Sequence, residues 1–323
     1  MFPGAPTPWI DLSTGINPHP YPLNELPASV YARLPEQSRH QELAALAADI
    51  YGAPSVENIV AAPGTQILLP MVMGLIKPGK AAILSPTYAE HRRAAALCGH
   101  AVLQVATFDA LFDADIAVVV NPNNPDGRLT SRAELLQLAS HLAAKGGMLV
   151  VDEAFMEASA ANESIASDIG QPGLVVLRSF GKFFGLAGVR LGFAIAEPGI
   201  AARLNDLLGP WAVSGPTIEV GLQALADRSW QAAMRTQLRQ EAAQLDGLLA
   251  VHGLKAEGAA SLFRLVWLEQ AQNLFETLGR HGILVRSFAD YPNMLRFGLP
   301  ADNKAWVRLD AALGAWRKEY LRR

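Results

Sequence analysis

Lys182 lies in the run Arg178-Ser179-Phe180-Gly181-Lys182-Phe183-Phe184-Gly185, where phenylalanine and glycine neighbours withdraw its amine from water. Desolvation disfavours the ammonium form and lowers a lysine's pKa. A neutral lysine can attack a carbonyl carbon and form a Schiff base. Ser179 and Arg190, close by in sequence, bring a hydroxyl and a fixed-charge fork suited to a phosphate. An amine for an aldehyde beside a phosphate clamp points to pyridoxal phosphate. A lone lysine of this kind is more simply a surface residue on a glycine loop, so the reading depends on its partners.

Those partners stand at the ends of apolar runs. Pro63-Gly64-Thr65-Gln66 joins a strand-like run to an apolar helix, and free N–H groups at such a helix start, aided by its dipole, cradle phosphate. Alone, this pattern is ordinary capping. Asn121-Pro122-Asn123-Asn124-Pro125-Asp126-Gly127 is a tight turn that would present an amide to a ligand oxygen. Asp152 ends the run Met148–Val151, and a carboxylate leaving a buried strand needs a partner to offset its desolvation. A protonated pyridine nitrogen is one such partner; a structural ion pair is the other.

Short continuous apolar runs at 81–84, 102–105, 116–120, 148–151 and 174–177 read as strands. Helix-compatible segments separate several of them, including 131–144 with Thr130 as its N-cap. The pattern predicts an α/β fold with a mostly parallel sheet covered on both faces. In such sheets ligands sit at the carboxyl ends of the strands. Residues 1–28, with Pro18, Pro20, Pro22 and Pro27, predict an extended arm contributing to the active site and small lobe. Residues 29–210 form the large cofactor-binding domain in this reading. From 211 to 323 a long helical pattern and strand-like stretches at 263–268 and 295–297 predict a linking helix and a small α+β domain.

Composition narrows the function classes. The chain has 323 residues, a net charge of −3 and no basic run, which argues against a nucleic-acid partner. No apolar run reaches membrane-spanning length, and the amino terminus lacks a charged and apolar leader. Its single cysteine, Cys98, cannot form an internal disulfide. These features predict a soluble, cytoplasmic protein with no membrane partner. Its histidines show no metal-ligand spacing and are read as surface or packing residues, so no metal is expected.

In order, Gly-Thr-Gln, Pro-Thr-Tyr, Asn-Pro-Asn-Asn-Pro, Asp-Glu-Ala-Phe, Ser-Phe-Gly-Lys and Arg-Leu-Gly resemble the motifs of fold-type I pyridoxal-phosphate enzymes, in particular the class I/II aminotransferases. The resemblance covers essentially the whole chain. Within that family it is nearest the branch of histidinol-phosphate aminotransferase and the L-threonine O-3-phosphate decarboxylase of cobalamin synthesis. Asp11-Leu12-Ser13-Thr14-Gly15-Ile16-Asn17-Pro18 resembles the decarboxylase. The resemblance implies that Lys182 carries pyridoxal 5'-phosphate as a Schiff base and that Asp152 pairs with the ring nitrogen. It places Asn124 at the phenolic oxygen and Tyr88 against the ring face. Gly64, Thr65, Gln66, Ser179 and Arg190 would hold the cofactor phosphate. Arg296 matches the arginine for a substrate carboxylate; Asn17, His19 and Arg286 are further candidates for a second anion, with His19 better explained as a turn residue.

Two departures from the family pattern matter. Phe155 stands where aminotransferases often have a tyrosine that bonds the phenolic oxygen, which is compatible with the decarboxylase branch. Arg33-Leu34-Pro35 replaces an Arg-Tyr-Pro sequence whose tyrosine reaches the partner subunit's cofactor, in a family expected to form homodimers. The leading expectation is therefore a lyase acting on a small phosphorylated amino acid. The alternative is an aminotransferase, on histidinol phosphate or a related substrate. A non-catalytic regulator would carry a DNA-binding module. A nucleotide-binding protein would carry Gly-x-Gly-x-x-Gly or a P-loop at the first strand, and neither is found.

Overall fold

The computed structural model describes residues 2–159 and 163–320. The arm holds one short strand, β1 (Ile10–Leu12), and a short helix, α1 (Ala28–Ala32), begins at its end. Helix α2 (Gln37–Tyr51) turns Leu43, Ala47, Ala48 and Tyr51 into the core. There follow β2 (Ile59–Ala62), α3 (Thr65–Met73), β3 (Lys80–Leu84), α4 (Ala89–Leu97), β4 (Ala101–Val105) and β5 (Ile116–Val120). Next come α5 (Arg132–Ala144), β6 (Met148–Asp152), β7 (Leu174–Ser179), the single-turn α6 (Phe180–Phe183) and β8 (Gly192–Ala196).

Among the described residues these strands make a seven-stranded sheet in the order β2-β8-β7-β6-β5-β3-β4. Strand β8 is antiparallel to both neighbours and every other pair is parallel. All positions of β5 and β6 are buried, as strands covered on both faces require. Their side chains alternate between two cores: Ile116, Val118, Met148 and Val150 enter one, Ala117, Val119, Leu149 and Val151 the other. Parallel register then sets the strand ends side by side, Val120 opposite Asp152 and Asp152 opposite Leu177.

Beyond the sheet run α7 (Pro198–Leu208), α8 (Gly215–Ala226) and the long α9 (Arg228–Val251). The remainder is β9 (Ala256–Glu257), β10 (Phe263–Trp267), α10 (Ala271–Arg280), β11 (Ile283–Phe288), β12 (Tyr291–Gly298) and α11 (Asn303–Tyr320). A second sheet has the order β1-β11-β12-β10-β9. The arm therefore supplies its edge strand, β1, parallel to β11. No described helix is long and apolar enough to cross a membrane.

One capping assignment changes. Ser131, not Thr130, caps α5, in a reciprocal box with Glu134. The Thr130 backbone is held instead by the Asn121 side chain, which accepts its N–H at 2.8 Å and donates to its carbonyl at 3.0 Å. Thr130 thus belongs to the turn that presents Asn124.

Candidate active site

Gly64, Thr65, Gln66, Tyr88, Asn124, Asp152, Ser179, Lys182 and Arg190 all line one cavity of about 160 Å³. They come from seven separate elements or loops, brought together by the strand ends of the large sheet.

The anion-binding end of the cavity is built from the start of α3 and the side chain of Arg190. Helix α3 begins at Gly64, whose φ of 85° suits glycine, and no side chain caps its first N–H groups. A Cβ on Gly64 would stand 2.6 Å from Arg190 Nη2, so only glycine lets the guanidinium lie across the helix start. Arg190 itself adopts a left-handed conformation, φ 56° and ψ 60°. Such a conformation is costly away from glycine and is retained where a side chain must be aimed. Its Nη1 bonds only the Ala187 carbonyl, at 3.3 Å, which leaves most of the fork for an anion. Gln66 bonds Glu90 through its amide nitrogen at 2.7 Å and accepts the Tyr88 hydroxyl at 3.2 Å. That orientation follows from Glu90, which can only accept. Gln66 therefore holds the Tyr88 ring over the opening.

Lys182 projects from α6 towards Phe155, its Nζ 5.9 Å from the ring centroid. Burial pulls its pKa below the ordinary lysine value, and the positive charges of Arg296 and Arg190 lower it further against the opposing pull of Asp152. The amine is thereby readied as a nucleophile. Asp152 is 6 % exposed; its Oδ1 accepts the Ala154 N–H at 3.0 Å and its Oδ2 lies 3.0 Å from His91 Nε2. An aldehyde reaching Lys182, a phosphate at the α3 start and a basic ring nitrogen at Asp152 would each meet a suitable group. The residues fit pyridoxal phosphate.

Arg296, on β12, is buried, with Nη1 on Asn124 Oδ1 and Nη2 on the Ser13 carbonyl at 2.6 Å. These partners are neutral, and its Nε has no partner among the described residues. Burial, with the charge of Arg286, lowers its pKa to about 10, so it stays cationic at neutral pH. The guanidinium also lies over Phe263, 5.1 Å from the ring centroid. Arg286 is exposed and stacks on Phe288 at 5.6 Å.

The arm residues are placed differently from a ligand set. Asn17 donates to the Phe183 carbonyl at 2.8 Å and accepts the His19 N–H at 2.9 Å, while its own N–H bonds the Lys182 carbonyl at 3.0 Å. Its side chain is engaged in fastening the arm to the lysine turn. His19 bonds Glu241 on α9 at 2.8 Å, which makes it a fastening of the arm rather than a free turn residue. Phe155 packs edge-on against Phe263 at 5.0 Å.

Sequence reasoning missed His91, which is wholly buried against Asp152 rather than being a packing or surface histidine. Its place one turn after Tyr88, in Pro-Thr-Tyr-Ala-Glu-His, is the signal that was available. The Ser13 carbonyl and Phe263, which position Arg296, had no such signal.

The model of the family described as aminotransferase class I and II matches residues 7–312. The chain belongs to that family. Two family members are similar over nearly their whole length. The threonine-phosphate decarboxylase of Pseudomonas aeruginosa is 43% identical, covering 94% of this chain and 91% of that protein. The threonine-phosphate decarboxylase of a Sinorhizobium species is 41% identical, covering 97% and 93%. Among solved structures, the histidinol-phosphate aminotransferase of Sinorhizobium meliloti in complex with pyridoxal-5'-phosphate superposes with a TM-score of 0.83 at 22% identity, covering 96% of this chain and 91% of that one. That likeness establishes the shared aminotransferase fold: a mostly parallel α/β sheet with a smaller α+β unit.

Proposed function

We propose that this chain is a pyridoxal-phosphate-dependent lyase that decarboxylates L-threonine O-3-phosphate to (R)-1-amino-2-propanol O-2-phosphate. The observation that carries the reading is Arg296, a buried cation whose hydrogen-bond partners are all neutral, set beside the lysine and next to a second arginine. A buried guanidinium without a counter-ion calls for an anionic ligand. Arg296 and Arg286 together suit a substrate with two anionic groups. Similarity at 43% and 41% to threonine-phosphate decarboxylases supports the same substrate.

Bound in the cavity, pyridoxal phosphate supplies an aldehyde for the substrate amine and a ring that takes up the electron pair left when carbon dioxide departs. The protein's contribution is positioning and charge. Gly64, Thr65, Gln66, Ser179 and Arg190 bind the cofactor phosphate. Asp152 holds a proton on the ring nitrogen, and Asn124 donates to the phenolic oxygen while Arg296 fixes its carbonyl. Tyr88, which lines the cavity, would lie against the ring face. Arg296, buried and close enough to Lys182 to lower its pKa, would take the carboxylate, and the more exposed Arg286 the substrate phosphate. The Cα–carboxylate bond would break, its electron pair staying with Cα, which takes up one proton as carbon dioxide leaves; the reaction needs no external oxidant or reductant.

Phe155 favours this reading over transamination of histidinol phosphate, because it withholds the second donor to the phenolic oxygen. A homodimer in the cytoplasm, serving cobalamin synthesis, completes the proposal. The test is incubation of the holoenzyme with L-threonine O-3-phosphate and detection of carbon dioxide, with a separate 2-oxoglutarate reaction to detect amino transfer. Amino transfer from histidinol phosphate without carbon dioxide release from threonine phosphate would overturn it.

A further inference from the structure

Arg308 lies in the second turn of α11 and does not line the cavity, yet its guanidinium is shared among four main-chain carbonyls. Its Nε donates to His281 and its Nη1 to Pro8, each at 2.8 Å. Its Nη2 donates to Pro6 at 2.8 Å and to Gly282 at 3.2 Å. Two acceptors belong to the arm and two to the turn that leads into β11. Proline has no N–H, so Pro6 and Pro8 offer only their carbonyls to such a fastening. Gly282 makes room for it, since a Cβ there would overlap both Arg308 Nη2 and the Pro6 carbonyl.

From this staple the arm runs directly to the substrate arginine. Ile10–Leu12 pair with β11, and the Leu12 and Thr14 carbonyls pass so close to Gly298 that a Cβ there would stand 3.1 and 2.6 Å from them. Between them the Ser13 carbonyl accepts Arg296 Nη2 at 2.6 Å. Arg296 has one other hydrogen-bond anchor among the described residues, the Asn124 side chain. We propose that Arg308 is a positioning residue for substrate binding: it holds the arm on the small lobe, and the docked arm fixes Arg296. Without the arm, Nη2 loses its acceptor and the guanidinium can swing on its flexible stem. Arg308 thus biases a two-state element, arm docked or arm released, of which the docked state binds substrate. Apparent affinity falls by the fraction of molecules that are competent. Saturating substrate draws the arm back down, so turnover at saturation is little changed.

The inference rests on the reading of Arg296 as the arginine for the substrate carboxylate, so arm docking is measured separately from turnover. Arg308→Met keeps much of the aliphatic stem and removes the donors. In that variant we expect the KM for L-threonine O-3-phosphate to rise on the order of tenfold, the factor by which the docked fraction falls, with kcat nearly constant. Arg308→Lys keeps the charge but not the fork, and should share the loss. Amide hydrogen exchange of the holoenzyme should quicken at Ile10 and Asn17, whose N–H groups bond the Gly282 and Lys182 carbonyls, and stay unchanged in β5 and β6. In an Arg296→Gln background, adding Arg308→Met should cost far less kcat/KM than in wild type, because the two residues act in series. Unchanged exchange at Ile10 and Asn17, faster exchange throughout the large sheet, full recovery by lysine, or additive losses in the double variant would each overturn the proposal. Wild-type activity in Arg296→Gln alone would instead defeat the reading of Arg296 itself.

Discussion

Arg286 and Arg296 are directly opposed across the antiparallel pair of β11 and β12. Like charges facing each other destabilise a sheet, and Arg286 is one cause of the lowered pKa of Arg296. An anion bound between or beside them would offset that repulsion. Two variants separate their roles. Arg296→Gln should depress decarboxylation of threonine phosphate and of plain threonine alike. Arg286→Gln should chiefly narrow the preference for the phosphorylated substrate. In wild-type enzyme that preference should reflect about 2–5 kcal/mol, the penalty of leaving one member of a charge pair unpaired, or roughly 30- to several-thousand-fold in kcat/KM. Carbon dioxide release from the two substrates measures it; equal rates with and without the phosphate would refute it.

Lys182→Ala should abolish turnover and the borohydride-trappable cofactor. The lowered pKa of Lys182 also sets a pH dependence. Between that folded-state value and the higher value of the unfolded chain, the unfolded state binds more protons. Stability of the apoprotein should therefore rise with pH across that window. Lys182→Met removes the effect, so its stability advantage over wild type should shrink as pH rises through the window. Urea denaturation of both apoproteins at several pH values checks the sign; a constant gap would show that the amine is not perturbed.

Asp152→Asn should leave the fold intact but cripple catalysis. An amide of the same shape cannot hold the ring nitrogen protonated, and the developing carbanion loses its electron sink. The comparison is kcat in cofactor-saturated enzyme alongside thermal melting. Near-normal turnover would make Asp152 a structural residue.

Gly64→Ala tests the phosphate end. The left-handed φ of 85° and the 2.6 Å approach of a Cβ to Arg190 Nη2 act together. Backbone strain alone costs of order 1–3 kcal/mol, and displacement of Arg190 should add a loss of cofactor affinity. Equilibrium dialysis against pyridoxal phosphate reads the second effect, while melting reads the first. Unchanged affinity would mean that Arg190 does not reach the phosphate.

The strands that carry the site were legible because burial on both faces makes them unbroken apolar runs, as in Ile116–Val120 and Met148–Asp152. Strand β8 was missed: Gly-Phe-Ala-Ile-Ala is short and follows a glycine-rich loop, so its pairing with β2 and β7 is decided by tertiary contact. Gly192 within it is required because a Cβ would meet the Thr65 N–H at 2.6 Å, a constraint invisible without the neighbouring loop. The nine expected cofactor residues that line the cavity could be read because their motifs are local. His91 and the Ser13 carbonyl escaped for the opposite reason, since their partners lie 61 and 283 residues away.

Strand β1 pairs Ile10 with Ile283, a separation of 273 residues. During synthesis β1 precedes every other described strand and helix, whereas β11 follows all of them but β12 and α11. Closing so long a loop carries an entropic cost that grows only slowly with length, but it delays the contact itself. The large sheet can assemble while the arm is still unpaired. Ser13, which accepts from Arg296, and Asn17, which grips the Lys182 turn, lie just beyond β1. Arg286 and Arg296 are carried by β11 and β12, so a ribosome-stalled fragment ending before β11 should hold the lysine but lack both arginines.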